Sequence, residues 1–213
     1  MARRFSPLTP ERVGELPSNC PGCVFWESPE RLEPRCGVRC DAELLSGWMD
    51  YVGAQWGECG RIATEDGHVL GFVKYAPAVF FPQARNFAVG PPSEGAILIA
   101  CLHISREARQ RGLGKVLLQA ALRDLVSRNE RTVEAYAAAA RPEDFAASPV
   151  VGQEFLERQG FSVLRPHPVN PLMRLDLRSL AAWTENLEAV LESLRIPVRP
   201  ARRVPTPYIE GRR

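Results

Sequence analysis

The sequence predicts an α/β protein whose sheet is mostly antiparallel at its start, and three observations carry that reading. Two stretches show apolar residues at helical spacing, and short β-branched or apolar runs lie before, between and after them. One near-continuous apolar run of strand length stands in the middle. The order that results is β-α-β-β-β-α-β-α-β-β. Composition agrees: 213 residues, 45% hydrophobic and 24% charged, with 27 basic against 25 acidic side chains, exclude a collagenous, coiled-coil or wholly disordered chain.

In chain order, residues 1–22 form a loop-rich, proline- and cysteine-containing segment, and Cys23 to Glu27 is the first run with strand character. From Asp41 to Trp56, Leu44, Leu45, Trp48, Tyr51, Val52 and Trp56 recur at helical spacing behind a capping aspartate. Arg61 to Thr64 and Val69 to Tyr75 flank Glu65-Asp66-Gly67-His68, whose Asp-Gly step suits a hairpin turn. Residues 76–95 carry four prolines and read as a long surface loop.

Ala96 to Ile104 is then a strand buried on both faces, central in the sheet. Leu113 to Val126 is an amphipathic helix. Thr132 to Ala137 is a strand, Val150 to Arg158 a short helix, and Phe161 to Leu164 and Leu172 to Leu177 the last strands. Leu180 to Leu194 adds a helix, within 178–195, and 196–213 is a Pro/Arg-rich tail too poor in apolar surface to order itself.

The chemistry lies between the buried strand and the helix after it, in Arg109-Gln110-Arg111-Gly112-Leu113-Gly114-Lys115. A turn that leaves a strand and opens a helix aims unpaired backbone N–H groups at one spot beside the positive end of the helix dipole, which favours phosphate. Glycine at 112 and 114 lets phosphates approach the backbone, while Arg109, Arg111 and Lys115 add positive charge. A dinucleotide fingerprint would need a third glycine where Leu117 stands, and a P-loop would need Ser or Thr where Val116 stands.

Arg109 to Gly114 resembles the acyl-CoA-binding motif of the GNAT superfamily of N-acetyltransferases, Gln/Arg-x-x-Gly-x-Gly/Ala, at every fixed position. Phe155-Leu156-Glu157-Arg158-Gln159-Gly160-Phe161 is similar to that family's aromatic-Tyr-Glu-Lys-x-Gly-Phe segment, and the likeness spans Cys23 to Leu177. The resemblance implies a mixed, largely antiparallel central sheet flanked by helices, over residues 23–177. It also implies acetyl-CoA as cosubstrate, with its pyrophosphate on Arg109 to Lys115 and its pantetheine arm on the backbone of Leu102, His103 and Ile104. The implied reaction is direct acyl transfer to an unknown amine of a small molecule or protein.

The sequence departs from the family where proton transfer is concerned. Positions that carry an acidic or histidine base in several members are Leu98 and Ala100 here, and the tyrosine that protonates the thiolate is matched by Leu156. Tyr136, on the following strand, or Cys101 and His103, on the motif strand, are the local substitute candidates. Strand alternation would turn Cys101 and His103 away from Leu98, Ala100 and Leu102, toward back-face packing.

Cys20, Cys23, Cys36 and Cys40 follow C-x2-C-x12-C-x3-C, within the loose range of four-thiolate zinc sites. Inert thiols are the favoured reading, with zinc and a redox pair involving Cys59 as alternatives. A non-catalytic GNAT-fold module, binding CoA or acting through zinc or thiols, is the competing functional class. The basic tail, with six arginines after residue 194 and one acid, lacks the aromatic interleaving of a nucleic-acid binder and ends in Ile-Glu-Gly-Arg-Arg, which contains a protease-cleavage sequence. No run approaches the roughly 18 apolar residues of a membrane helix, and no apolar signal follows Arg3 and Arg4, so a cytoplasmic protein is expected, as monomer or homodimer.

Overall fold

The computed structural model describes residues 3–140 and 148–178. Strands are β1 (Arg4–Pro7), β2 (Gly60–Glu65), β3 (His68–Pro77), β4 (Ile97–Ile104), β5 (Thr132–Ala138), β6 (Val151–Gly152), β7 (Ser162–Arg165) and β8 (Leu172–Asp176); helices are α1 (Ala42–Gln55), α2 (Leu113–Ser127) and α3 (Gln153–Arg158). The sheet order is β1-β2-β3-β4-β5-β8-β7, with β6 attached to β5. Every pairing is antiparallel except β4 with β5 and β5 with β6. This is the mixed, largely antiparallel sheet flanked by helices that was expected. The predicted helix at 180–194 and the basic tail lie outside the described residues.

Local chemistry explains most of the elements. Asp41 caps α1 by accepting the Leu44 N–H at 2.9 Å, and Leu45, Met49 and Val52 form its buried stripe. Asp66 and Gly67 both take positive φ, +50° and +87°, as a two-residue hairpin turn requires. α2 buries Leu113, Leu117, Leu118, Ala121 and Leu125 against one face of the sheet. Its Asp124 fixes it there, accepting from Arg61 at 2.7 Å, Arg128 at 2.6 Å and the Tyr75 hydroxyl at 2.8 Å. The opposite face is covered by α1 and the N-terminal segment.

Four expectations are corrected. Cys23 to Glu27 is a turn held by a single bridge, Cys23 to Cys40, rather than a strand; Val24, Phe25 and Trp26 are apolar because they are core, with Trp26 donating to the Pro149 carbonyl. Arg4–Pro7 is instead an edge strand on β2. Residues 76–95 are not a simple surface loop: they hold two 3-10 turns, and Phe81, Gln83 and Ala84 are buried. Gln83 clamps this segment to the N-terminal one, donating to the carbonyls of Ser28 and Glu30. Finally, Val151 and Gly152 precede α3 as strand β6 rather than as helix.

Two features of β4 position the site. It pairs with β5 only at Ile97 and Leu98, so from Ile99 to Ile104 no described strand covers that edge. It also carries a β-bulge: Lys74 of β3 faces Cys101 while Tyr75 faces Ile99, which leaves Ala100 as the extra residue.

Candidate active site

The N-terminus of α2 is built to leave donors open. Gly112 is its N-cap, in the left-handed region at φ +73°, with no side-chain cap and no acid in the first turn. Val116 is the first N–H to reach a helical acceptor, the Gly112 carbonyl at 3.3 Å, so Leu113, Gly114 and Lys115 precede any intrahelical partner. α1, where Asp41 caps and Glu43 sits in the first turn, shows how this chain closes a helix when no donor is needed elsewhere.

Around those donors Gln110 takes φ +62°, and Arg111 and Lys115 are exposed. Arg109 donates through Nε to the Ile104 carbonyl at 3.2 Å, tying the turn to the end of β4. The Ser105 hydroxyl is buried with no partner. A Cβ at Gly112 would meet nothing within 4 Å, and one at Gly114 would meet the Phe155 ring at 3.7 Å and Ile104 at 3.8 Å. Arg109 to Lys115 and the open edge at Leu102 to Ile104 are therefore contiguous: a positive, donor-rich turn at the end of an uncovered strand edge.

The proton-transfer positions are apolar in fact as in sequence: Leu98, Ala100 and Leu156 are all buried. Tyr136 is 1% exposed, its hydroxyl lies 2.7 Å from the carbonyls of both Ala84 and Gly90, and its ring stacks on Phe87 at 3.9 Å. Burial raises its pKa. Tyr136 thus anchors the 76–95 segment, a structural role that accounts for both its burial and its hydroxyl contacts. Tyr136→Phe is expected to lower stability by about 1–2 kcal/mol, since it orphans a buried carbonyl, while changing turnover by less than about threefold, the smallest effect ascribed to a general acid or base being far larger. Urea denaturation alongside steady-state kinetics checks both; a hundredfold loss of turnover with unchanged acetyl-CoA affinity would assign it a catalytic role.

The bulge at Ala100 corrects the expected orientation of β4. Leu98, Ala100 and Cys101 share the core face covered by α1 and the N-terminal segment, whereas Ile97, Ile99, Leu102 and Ile104 share the α2 face. The extra residue resets the alternation, so Cys101 and His103 turn to the side of Leu98 and away from Leu102. His103 offers the uncovered edge its backbone only. Its ring is buried, stacks on Phe72 at 5.7 Å and places Nε2 3.4 Å from Cys36 Sγ.

All six cysteines are free thiols. Cys20, Cys36 and His103 bring their ligand atoms within 4.8 Å of one another. Cys23 lies outside that group, and its Sγ accepts the Gly37 N–H at 3.2 Å. Cys40, the fourth member of the sequence pattern, stands apart: it is exposed, with Sγ 3.9 Å from the Gly37 carbonyl. Cys59 is buried, and that burial pushes its pKa up to about 12, so it is no ready thiolate. Sequence reasoning missed His103 as a member of the cluster because the bulge that turns it there has no local signature.

Comparison with known proteins bears on this geometry. A family profile described as "Acetyltransferase (GNAT) family" matches residues 25–161. No curated protein matches at a significant level. Among solved structures, the chain is similar to an N-acetyltransferase from Staphylococcus aureus Mu50, at 13% identity and TM-score 0.55, over 83% of this chain and 99% of that one. It is also similar to the PaiA N-acetyltransferase from Thermoplasma acidophilum in complex with coenzyme A, at 14% identity and TM-score 0.54, over 83% and 99%. The loading GNATL domain of CurA from Lyngbya majuscula aligns at 14% identity and TM-score 0.53, over 84% and 100%. At these identities the likeness is one of fold.

Proposed function

This chain belongs to the GNAT acetyltransferase family, and on that premise we propose that it transfers the acyl group of acetyl-CoA to an amine of a small molecule or protein by direct attack on the thioester. The observation that carries the proposal is the uncapped start of α2 beside the uncovered edge of β4. Free N–H groups and a helix dipole suit a pyrophosphate, with Arg109, Arg111 and Lys115 adding charge. The backbone of Leu102, His103 and Ile104 suits the amides of a pantetheine arm, as an added strand would.

The reaction needs a neutral amine, donors for the tetrahedral oxyanion and a proton for the departing thiolate. A thiol has a pKa of about 8.5, so the thiolate is a tolerable leaving group near neutral pH, and its protonation can fall to water. The acceptor's deprotonation is the more demanding step for a lysine-like amine, whose pKa is about 10.4, and a base reached through water is assigned to it. No described helix is long and apolar enough to cross a membrane.

Calorimetric titration of acetyl-CoA, followed by a thioester-consumption screen against α-amines and lysine-like ε-amines, tests the proposal. The double variant Arg111→Glu/Lys115→Glu is expected to bind acetyl-CoA about three- to tenfold more weakly at low salt, with a smaller difference at high salt because both positions are exposed. Unchanged affinity would remove the pyrophosphate from this turn, and binding without consumption by any amine would leave a CoA-binding module.

A further inference from the structure

The N-terminal segment has little regular structure of its own. Between the 3-10 turn ending at Glu15 and the start of α1 it has only turns and one isolated bridge, yet Cys20, Cys23 and Cys36 are all buried. Three potential ligands converge there, Cys20, Cys36 and His103, and Cys23 follows Cys20 by three residues in the adjoining turn. Cys20-Pro21-Gly22-Cys23 closes a turn, with the Cys23 N–H on the Cys20 carbonyl at 3.0 Å and Gly22 at φ +64°. Cys36 is followed by Gly37 at φ +76°, whose N–H points at Cys23 Sγ. From across the sheet, the bulged β4 supplies His103.

The spacing of those three ligands suits one tetrahedral ion, with Cys23 left to close in as the fourth. With metal–sulfur bonds of about 2.3 Å and a metal–nitrogen bond of about 2.05 Å, sulfur and nitrogen ligands stand about 3.6 Å apart and two sulfurs about 3.8 Å apart. Cys36 Sγ and His103 Nε2 are 3.4 Å apart, and both lie within 4.8 Å of Cys20 Sγ. Three soft thiolates and one imidazole are a donor set for zinc rather than for magnesium or calcium. The three converging ligands are all buried, as in a structural rather than a catalytic site.

We propose that Cys20, Cys23, Cys36 and His103 bind a structural zinc ion that staples the N-terminal segment to the motif strand β4. The ion displaces three thiol protons to solvent and leaves the imidazole neutral. Through His103 it also fixes the strand whose backbone would receive the pantetheine arm. The metal assignment does not depend on acyl transfer, and its readout is separate from it.

The test is metal analysis of the purified full chain, with cobalt exchanged for zinc as a spectroscopic probe. About one zinc per chain is expected, in the tetrahedral coordination that structural zinc sites adopt, so the cobalt form should show thiolate charge-transfer absorption and intense visible bands. Cys40→Ser should keep the metal, in contrast to a four-thiolate site that includes Cys40. Cys36→Ser and His103→Asn should lose most of it, and His103→Cys should retain it with a shifted cobalt spectrum. If Cys36→Ser fails to fold, the wild-type spectrum and the His103→Cys shift still decide. Zinc far below one per chain from zinc-supplied cells, absence of the cobalt bands, a Cys20–Cys36 disulfide, or metal content indifferent to His103 would each overturn the proposal.

Discussion

Replacing Lys74 by methionine is expected to cost about 3–5 kcal/mol of folding stability, because it strands a buried carboxylate. Lys74 Nζ lies 2.5 Å from Glu27 Oε1, the two side chains are 5% and 0% exposed, and among the described residues Glu27 Oε2 has no hydrogen-bond partner. Burial works against the Lys74 ammonium, and the Glu27 carboxylate outweighs it, so the lysine pKa is raised. A group whose folded pKa is raised contributes fully below its unfolded value, about 10.4, and loses that contribution only as pH climbs through the folded one. The pair therefore holds throughout the neutral range. The double variant Lys74→Met/Glu27→Leu removes both charges and should recover to within about 1–2 kcal/mol of the parent. Urea denaturation of the three proteins gives the comparison; a Lys74→Met cost below about 1 kcal/mol would mean that Glu27 is protonated or hydrated in the fold.

That pair also shows what the sequence could and could not disclose. Glu27 follows Val24, Phe25 and Trp26 in a run that reads as a strand, and nothing local says that it is a turn whose acid meets a lysine 47 residues away. The elements that were legible are those whose determinants are local: the Asp41 cap with its 3.6-residue stripe, the Asp66-Gly67 turn, and the strand-glycine-helix unit from Ile97 to Ser127. The elements missed are set by tertiary contact. Arg4–Pro7 is a strand only because β2 offers an edge, and Val151–Gly152 only because β5 continues past the point where β4 has left it.

The candidate site divides along the same line. The glycine motif is contiguous, so its residues could be named from sequence, and the zinc-like cysteine spacing was visible for the same reason. What the spacing could not disclose is His103: one extra residue at Ala100 inverts the facing of everything after it on β4 and brings His103 to Cys36 across 67 residues, while Cys40 is exposed. Tyr136 is the opposite case. A tyrosine beside the motif strand reads as an acid in the sequence, and its hydroxyl is found between two carbonyls of a segment that the sequence presents as exposed loop.

Substitution of Gly112 by valine is expected to weaken acetyl-CoA binding by roughly thirtyfold, about 2 kcal/mol, and the reason is conformational rather than steric. A Cβ at this position meets nothing within 4 Å, so the fold has room for it. What it lacks is a permitted backbone: φ is +73°, which costs a non-glycine residue about 1–2 kcal/mol and a β-branched one the upper end of that range. Relaxing to negative φ would rotate the N–H groups at the start of α2 out of convergence. Gly114→Ala separates the two effects: its Cβ makes ordinary contact with Phe155 at 3.7 Å and its backbone is not left-handed, so a loss there reports the approach of the phosphates and not backbone strain. An acetyl-pantetheine thioester, which has no pyrophosphate, separates the two halves of the cosubstrate: its weaker affinity should be nearly the same in parent and Gly112→Val. Equal losses for both thioesters would place the damage at β4 instead, and no loss for acetyl-CoA would mean that the phosphates bind away from this turn.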